Sequence, residues 1–105
     1  MREIPEHITE HLFLDPQSPT QLRWVRPIGR AKVTGVAGCI RSDGYVQLNF
    51  EGERYFGNRV VYYLVHGTIP DNSVIRHIDG NPTNNSPENL IAMRRRSREE
   101  EVTVG

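Results

Sequence analysis

"VIRHIDGNPTNNSPENL", residues 74 to 90, holds one histidine, two acids and four asparagines. Asparagine competes with the backbone for hydrogen bonds, so it favours turns and element ends over regular structure. The stretch reads as a strand over 74–78, a tight turn over 79–81, and a brief return pairing at 83–85. Ser86 then stands as N-cap with Pro87 at the first helical position, which predicts a helix with Leu90 and Met93 facing the core. A strand, a turn and a helix start can bring His77, Asn85 and Asn89 to one cleft. Such a cleft could hold a divalent cation and a general base.

Upstream, the period of the apolar residues changes twice. "LRWVR" at 22–26 and "YVQLNF" at 45–50 alternate, as half-buried strands do. "VAGCI" at 36–40 reads as a further strand, and "RSDG" at 41–44 ends in a hairpin signal. "RYF" at 54–56 starts another strand, so residues 14–56 predict an antiparallel meander. Then "NRVVYYLVHG" places Val60, Val61, Leu64 and Val65 on one side of a short helix. Asn58 is its expected N-cap and Gly67 its end. A weak helical pattern also runs from Met1 to Phe13, ahead of the proline-broken turn "DPQSPT" at 15–20.

The bulk numbers suit a soluble α+β domain. The chain has 105 residues, 36% hydrophobic and 25% charged, which fits one core. We expect a single domain over 1–105: the meander at 14–56, a helix and finger at 57–97, and a tail at 98–105. No apolar run approaches a membrane span, and the opening residues lack the pattern of a secretory leader. Lone Cys39 cannot form an internal disulfide or a multi-cysteine zinc site. An intracellular, cytoplasmic protein is the expectation.

The net charge of zero conceals an imbalance. Thirteen residues are basic, and Lys32 is the one lysine among them. Arginine grips phosphate bidentately where lysine acts as a point charge. Arg26, Arg30 and Lys32 lie in one loop, and Arg94, Arg95, Arg96 and Arg98 crowd the C-terminal side. These groups, with Arg76, are candidate contacts to a nucleic-acid backbone. The C-terminal run could equally be a solvated helix face paired with Glu99, Glu100 and Glu101.

At "RHIDGNPTNNSPENL" the chain resembles the HNH endonucleases, and specifically the group common in phage genomes and mobile elements. The likeness extends over about residues 10 to 93, through the tryptophan strand, the "GY" strand and the "RVV" helix that precede the motif. It implies a small antiparallel sheet plus helix, followed by a ββα-metal finger. It implies hydrolysis of phosphodiester bonds in double-stranded DNA by an endonuclease or nickase, inside a bacterial host. His77 matches the general base that deprotonates the attacking water, and Asn85 the residue that orients it or braces the finger. Asn89 matches an oxygen ligand to one divalent ion, magnesium, manganese or zinc. Asp79 either braces the turn or joins the ligands. The chain departs from the pattern at Arg76, where a metal ligand is usual, at Asn58, where a histidine is usual, and in "RRRSREEE", which lacks a downstream asparagine. Arginine cannot ligate a cation. The alternative is therefore a catalytically weakened relative that binds DNA or a protein.

Overall fold

The computed structural model describes residues 3–26 and 33–94. Its first pair of strands, β1 (Leu12–Leu14) and β2 (Leu22–Trp24), is antiparallel, with Leu12 opposite Trp24 and Leu14 opposite Leu22. The turn between them is tied by side chains. The Ser18 hydroxyl donates to the Leu22 carbonyl at 2.8 Å, and the Thr20 hydroxyl to the carbonyl of Ala37. Both hydroxyls are buried, so these bonds replace the water they have lost.

A three-stranded antiparallel sheet follows, in the order β3 (Cys39–Ile40), β4 (Val46–Phe50), β5 (Glu53–Phe56). The alternation read in "YVQLNF" is realised: Val46, Leu48 and Phe50 are buried, while Asn49 is exposed. Only Cys39–Ile40 of the expected strand at 36–40 is regular. Val36 instead makes an isolated bridge to Arg23, linking the two sheets.

Helix α1 (Gly57–His66) packs against β1, β4 and β5, with Val60 and Val61 fully buried and Leu64 against the core. It ends on Gly67 at φ +78°, the left-handed cap that glycine adopts without steric cost. Its start differs from the expectation. Phe56 is the N-cap and makes no side-chain capping bond. Asn58 lies inside the first turn, buried, and its amide donates to the Ile75 carbonyl at 2.7 Å. A cap residue must point back at its own helix, whereas Asn58 is recruited by the next strand. Gly57 is needed for close approach: a Cβ there would lie 2.5 Å from Val46 Cγ1.

Strand β6 (Ser73–His77) pairs with β7 (Leu90–Arg94) across the motif, with Ile75 opposite Ala92 and His77 opposite Leu90. Here the expected helix from Ser86 is corrected. Pro87–Asn89 makes one 3-10 turn, and the chain then runs as strand. Residues 83–85 do not pair back; they lie in the loop. Leu90 is buried as expected, but Met93 is 47% exposed. A lone β6 would leave its backbone groups unpaired, and residues 90–94 supply the ladder. The helix expected over Met1–Phe13 reduces to a 3-10 turn at Glu6–Glu10, followed by β1.

One apolar cluster joins all of this. Ile4, Ile8, Leu12, Leu22, Trp24, Leu48, Phe50, Val60, Val61, Ile75 and Leu90 belong to it. The architecture of the described residues is α+β: one helix among small antiparallel sheets. No helix of the described residues is long and apolar enough to cross a membrane.

Candidate active site

Strand β6 ends at His77, and the polar loop from 78 to 89 begins. Asp79 organises its first half. One carboxylate oxygen accepts the backbone N–H of Asn81 at 2.8 Å and the amide of Asn89 at 2.9 Å. The other accepts the Asn84 amide at 2.9 Å. These donors, Asn84 foremost, then the Asn81 N–H and Asn89, hold the carboxyl well below its usual range, at about 2.

Asn89 closes the loop from the other end. Its Oδ1 accepts the N–H of Asp79 at 3.1 Å, and its Nδ2 donates to both the Asp79 carboxylate and the Asn84 carbonyl at 2.9 Å. Asn81 and Asn84 each accept a backbone N–H two residues on, from Thr83 and Ser86. The asparagines therefore substitute for secondary structure. Each offers an acceptor and a donor on a short stem that can satisfy the backbone locally.

Asn85 is the exception. It is fully buried, and its Oδ1 lies 2.6 Å from Nε2 of His77. An amide oxygen only accepts, so His77 donates through Nε2 and its Nδ1 keeps the lone pair. The pair thus chooses which ring nitrogen is basic. Asn85 Nδ2 is buried with no hydrogen-bond partner among the described residues. An orphaned donor is costly in a fold, which marks Asn85 as placed for its oxygen.

The neighbouring sheet also reaches this site. The Thr83 hydroxyl donates to the Gly44 carbonyl at 2.8 Å, and the ring of Tyr45 meets that of His77 edge-on, with centroids 6.0 Å apart. The sequence alone gives Tyr45 no role beyond its place at the start of the alternating strand. The "DGY" of the β3–β4 turn marks a hairpin and carries no hint of its partner.

The structure brings His77, Asn85, Asp79 and Asn89 into one loop. The arginines are more scattered. Arg76 is exposed, and the alternation of β6 sets it on the opposite face from Ile75 and His77, beside Ile91. Arg94 lies opposite Ser73, hence on the other face of the hairpin from Arg76. Arg26 follows β2, its carbonyl accepting Nδ1 of His11 at 2.7 Å. Arg30, Lys32, Arg95 and Arg96 lie outside the described residues.

The donor set near His77 does not fit a preformed cation site. Asp79 and Asn89 have their oxygens engaged within the loop. Nowhere among the described residues do three His, Cys, Asp or Glu side chains converge.

The comparison with protein families agrees with the geometry. Residues 55–99, from β5 through the loop and beyond β7, match the sequence model described as HNH endonuclease. No curated protein and no solved structure matches the chain significantly. With its histidine, asparagines and strand pairing in that matched segment, the chain is similar over residues 55–99 to the HNH endonuclease family.

Proposed function

We propose that the protein hydrolyses phosphodiester bonds in duplex DNA, as an endonuclease or nickase, with His77 as general base. The observation that carries this reading is the 2.6 Å contact from His77 Nε2 to the buried Asn85 oxygen. It leaves Nδ1 free to take a proton from water. The water oxygen then attacks phosphorus, the bond to the leaving ester oxygen breaks, and that oxygen takes a proton from solvent. Base catalysis of this kind contributes roughly 10²–10⁴-fold.

HNH nucleases generally use a divalent metal. In this chain Asp79 and Asn89 serve first as the clamp that shapes the loop, and we assign no catalytic step to an ion. Arg26, Arg76 and Arg94, with Arg30, Lys32, Arg95 and Arg96, are the proposed phosphate contacts.

A second reading has its own support. The carboxylate and amide oxygens near His77 are engaged in the loop rather than open to a cation. On that reading the protein binds DNA without cutting it. Plasmid nicking with magnesium, manganese or zinc, with chelator, and with His77→Ala separates the two. The hydrolase reading expects nicking by the parent and a loss of about 10²-fold or more in the variant. Salt-sensitive DNA binding without nicking under any of these conditions establishes the binding module.

A further inference from the structure

The tip of the β3–β4 hairpin is built more firmly than a surface turn needs. The Gly44 N–H donates to the Arg41 carbonyl at 2.9 Å, and the Arg41 N–H to the Tyr45 carbonyl at 2.8 Å. The Asp43 carboxylate accepts the Tyr45 N–H at 3.1 Å. Gly44 sits at φ +89°, and a Cβ there would come within 3.0 Å of Pro82 Cγ. The tip therefore rests directly on the 78–89 loop. The bond from Thr83 to the Gly44 carbonyl fixes that contact two positions before Asn85.

This seating brings the Tyr45 ring to His77 at an interplanar angle of 68°. Tyr45 also meets Phe56 edge-on at 5.9 Å, and the Arg41 guanidinium lies 5.6 Å from the Phe56 ring centre. Yet Tyr45 remains 40% exposed. Its burial therefore contributes little to the core, and the rings it meets are Phe56 of β5 and the imidazole. One hydrogen bond, at Nε2, leaves the imidazole free to pivot about that contact. An aromatic edge against the ring removes this freedom.

We infer that Tyr45 is a positioning residue for His77, holding the imidazole plane so that Nδ1 keeps one direction. The inference rests on the reading of His77 as base. It makes the β3–β4 hairpin part of the active site, although the hairpin lies outside the segment that matches the family. Misplacing a reacting group by about 1 Å can cost on the order of 10²-fold in rate. Loss of one ring contact should therefore cost about tenfold.

The test uses the full chain and two readouts. Tyr45→Ala is expected to lower single-turnover nicking about tenfold with KM changed by less than about twofold. It should also shift and broaden the His77 side-chain resonances as the ring pivots about its bond to Asn85, the tautomer set at Nε2 being kept. Tyr45→Phe keeps the ring and should restore both. If Tyr45→Ala fails to fold, Thr83→Val removes the tether to Gly44 and should shift the same resonances. Unmoved His77 resonances in a folded Tyr45→Ala or Thr83→Val protein overturn the proposal, whatever the nicking shows. Resonances that move in a protein that never nicks uphold the positioning contact and remove the hydrolase reading instead.

Discussion

The N-terminal half of the molecule and the loop between β6 and β7 are held by opposite kinds of force. In the first, Ile8, Leu22, Leu48 and Phe50 are essentially fully buried, and the shape follows from excluding water. In the loop, the buried residues are Asn85 and Asn89, and the shape follows from hydrogen bonds with fixed partners. Burial is non-directional, so an apolar core accepts another side chain of similar volume. A hydrogen-bonded loop accepts only the same donors and acceptors in the same places. The site is accordingly built in the region where geometry is specified most narrowly and tolerance is smallest.

The largest stability effect belongs to the core. Phe50→Ala should cost about 3–5 kcal/mol by leaving a cavity, since Phe50 also carries the ring contacts of His7 and His11 at 5.3 and 5.1 Å. Phe50→Leu keeps most of the volume and should cost about 1 kcal/mol. Urea unfolding of both variants measures the gap. Equal losses would mean that the core is as exacting as the loop, and the contrast would collapse.

The loop should behave in the reverse way. Asn89→Asp changes no shape, yet it replaces the amide that donates to the Asp79 carboxylate with a second carboxylate. Bonds to charged groups are stronger than neutral ones, so this isosteric change should lower the urea midpoint at neutral pH. It should also raise hydrogen exchange from residues 78 to 89 more than from β4. A neutral Asn89→Asp would show that the clamp is dispensable.

The same contrast explains what could be read from the sequence. Strand β4 and helix α1 follow from the spacing of Val46, Leu48 and Phe50 and of Val60, Val61 and Leu64, because burial obeys a period. The clustering of His77, Asn85 and Asn89 was legible from residue type and spacing, and Asp79 joined it only through the resemblance. The element after Pro87 was not. Leu90, Ile91, Ala92 and Met93 form a short apolar run that suits helix or strand, and pairing with β6 decided it. Asn58 reads as a cap because local sequence cannot show that Ile75 offers a carbonyl. Tyr45 gives no local sign of its role because its partner lies in another element. Hydrogen-bond partners across the fold leave no periodic mark.

The smallest effect is the pH response of the clamp. Asp79 has its pKa lowered from 3.8 to about 2 by the Asn84 amide, the Asn81 N–H and the Asn89 amide. A carboxyl depressed in the folded state contributes stability that is complete above its unfolded value. That contribution is lost as pH falls through the folded value, here between about 4 and 2. Asp15 is also lowered, by the Gln17 N–H first and then Arg23, so the parent carries an acid-sensitive contribution in each region. Asp79→Asn removes one of them. Because Asp79 is exposed, solvent screens the contribution and the effect should be modest. Thermal midpoints of parent and Asp79→Asn, followed from neutral pH downward, should converge below pH 4, the parent losing more. The convergence should be accompanied in the parent by faster exchange at Asn81 and Asn89. Parallel curves would show that Asp79 gains nothing from its donors. The loop would then be held by the backbone bonds of Asn81, Asn84 and Asn89 alone.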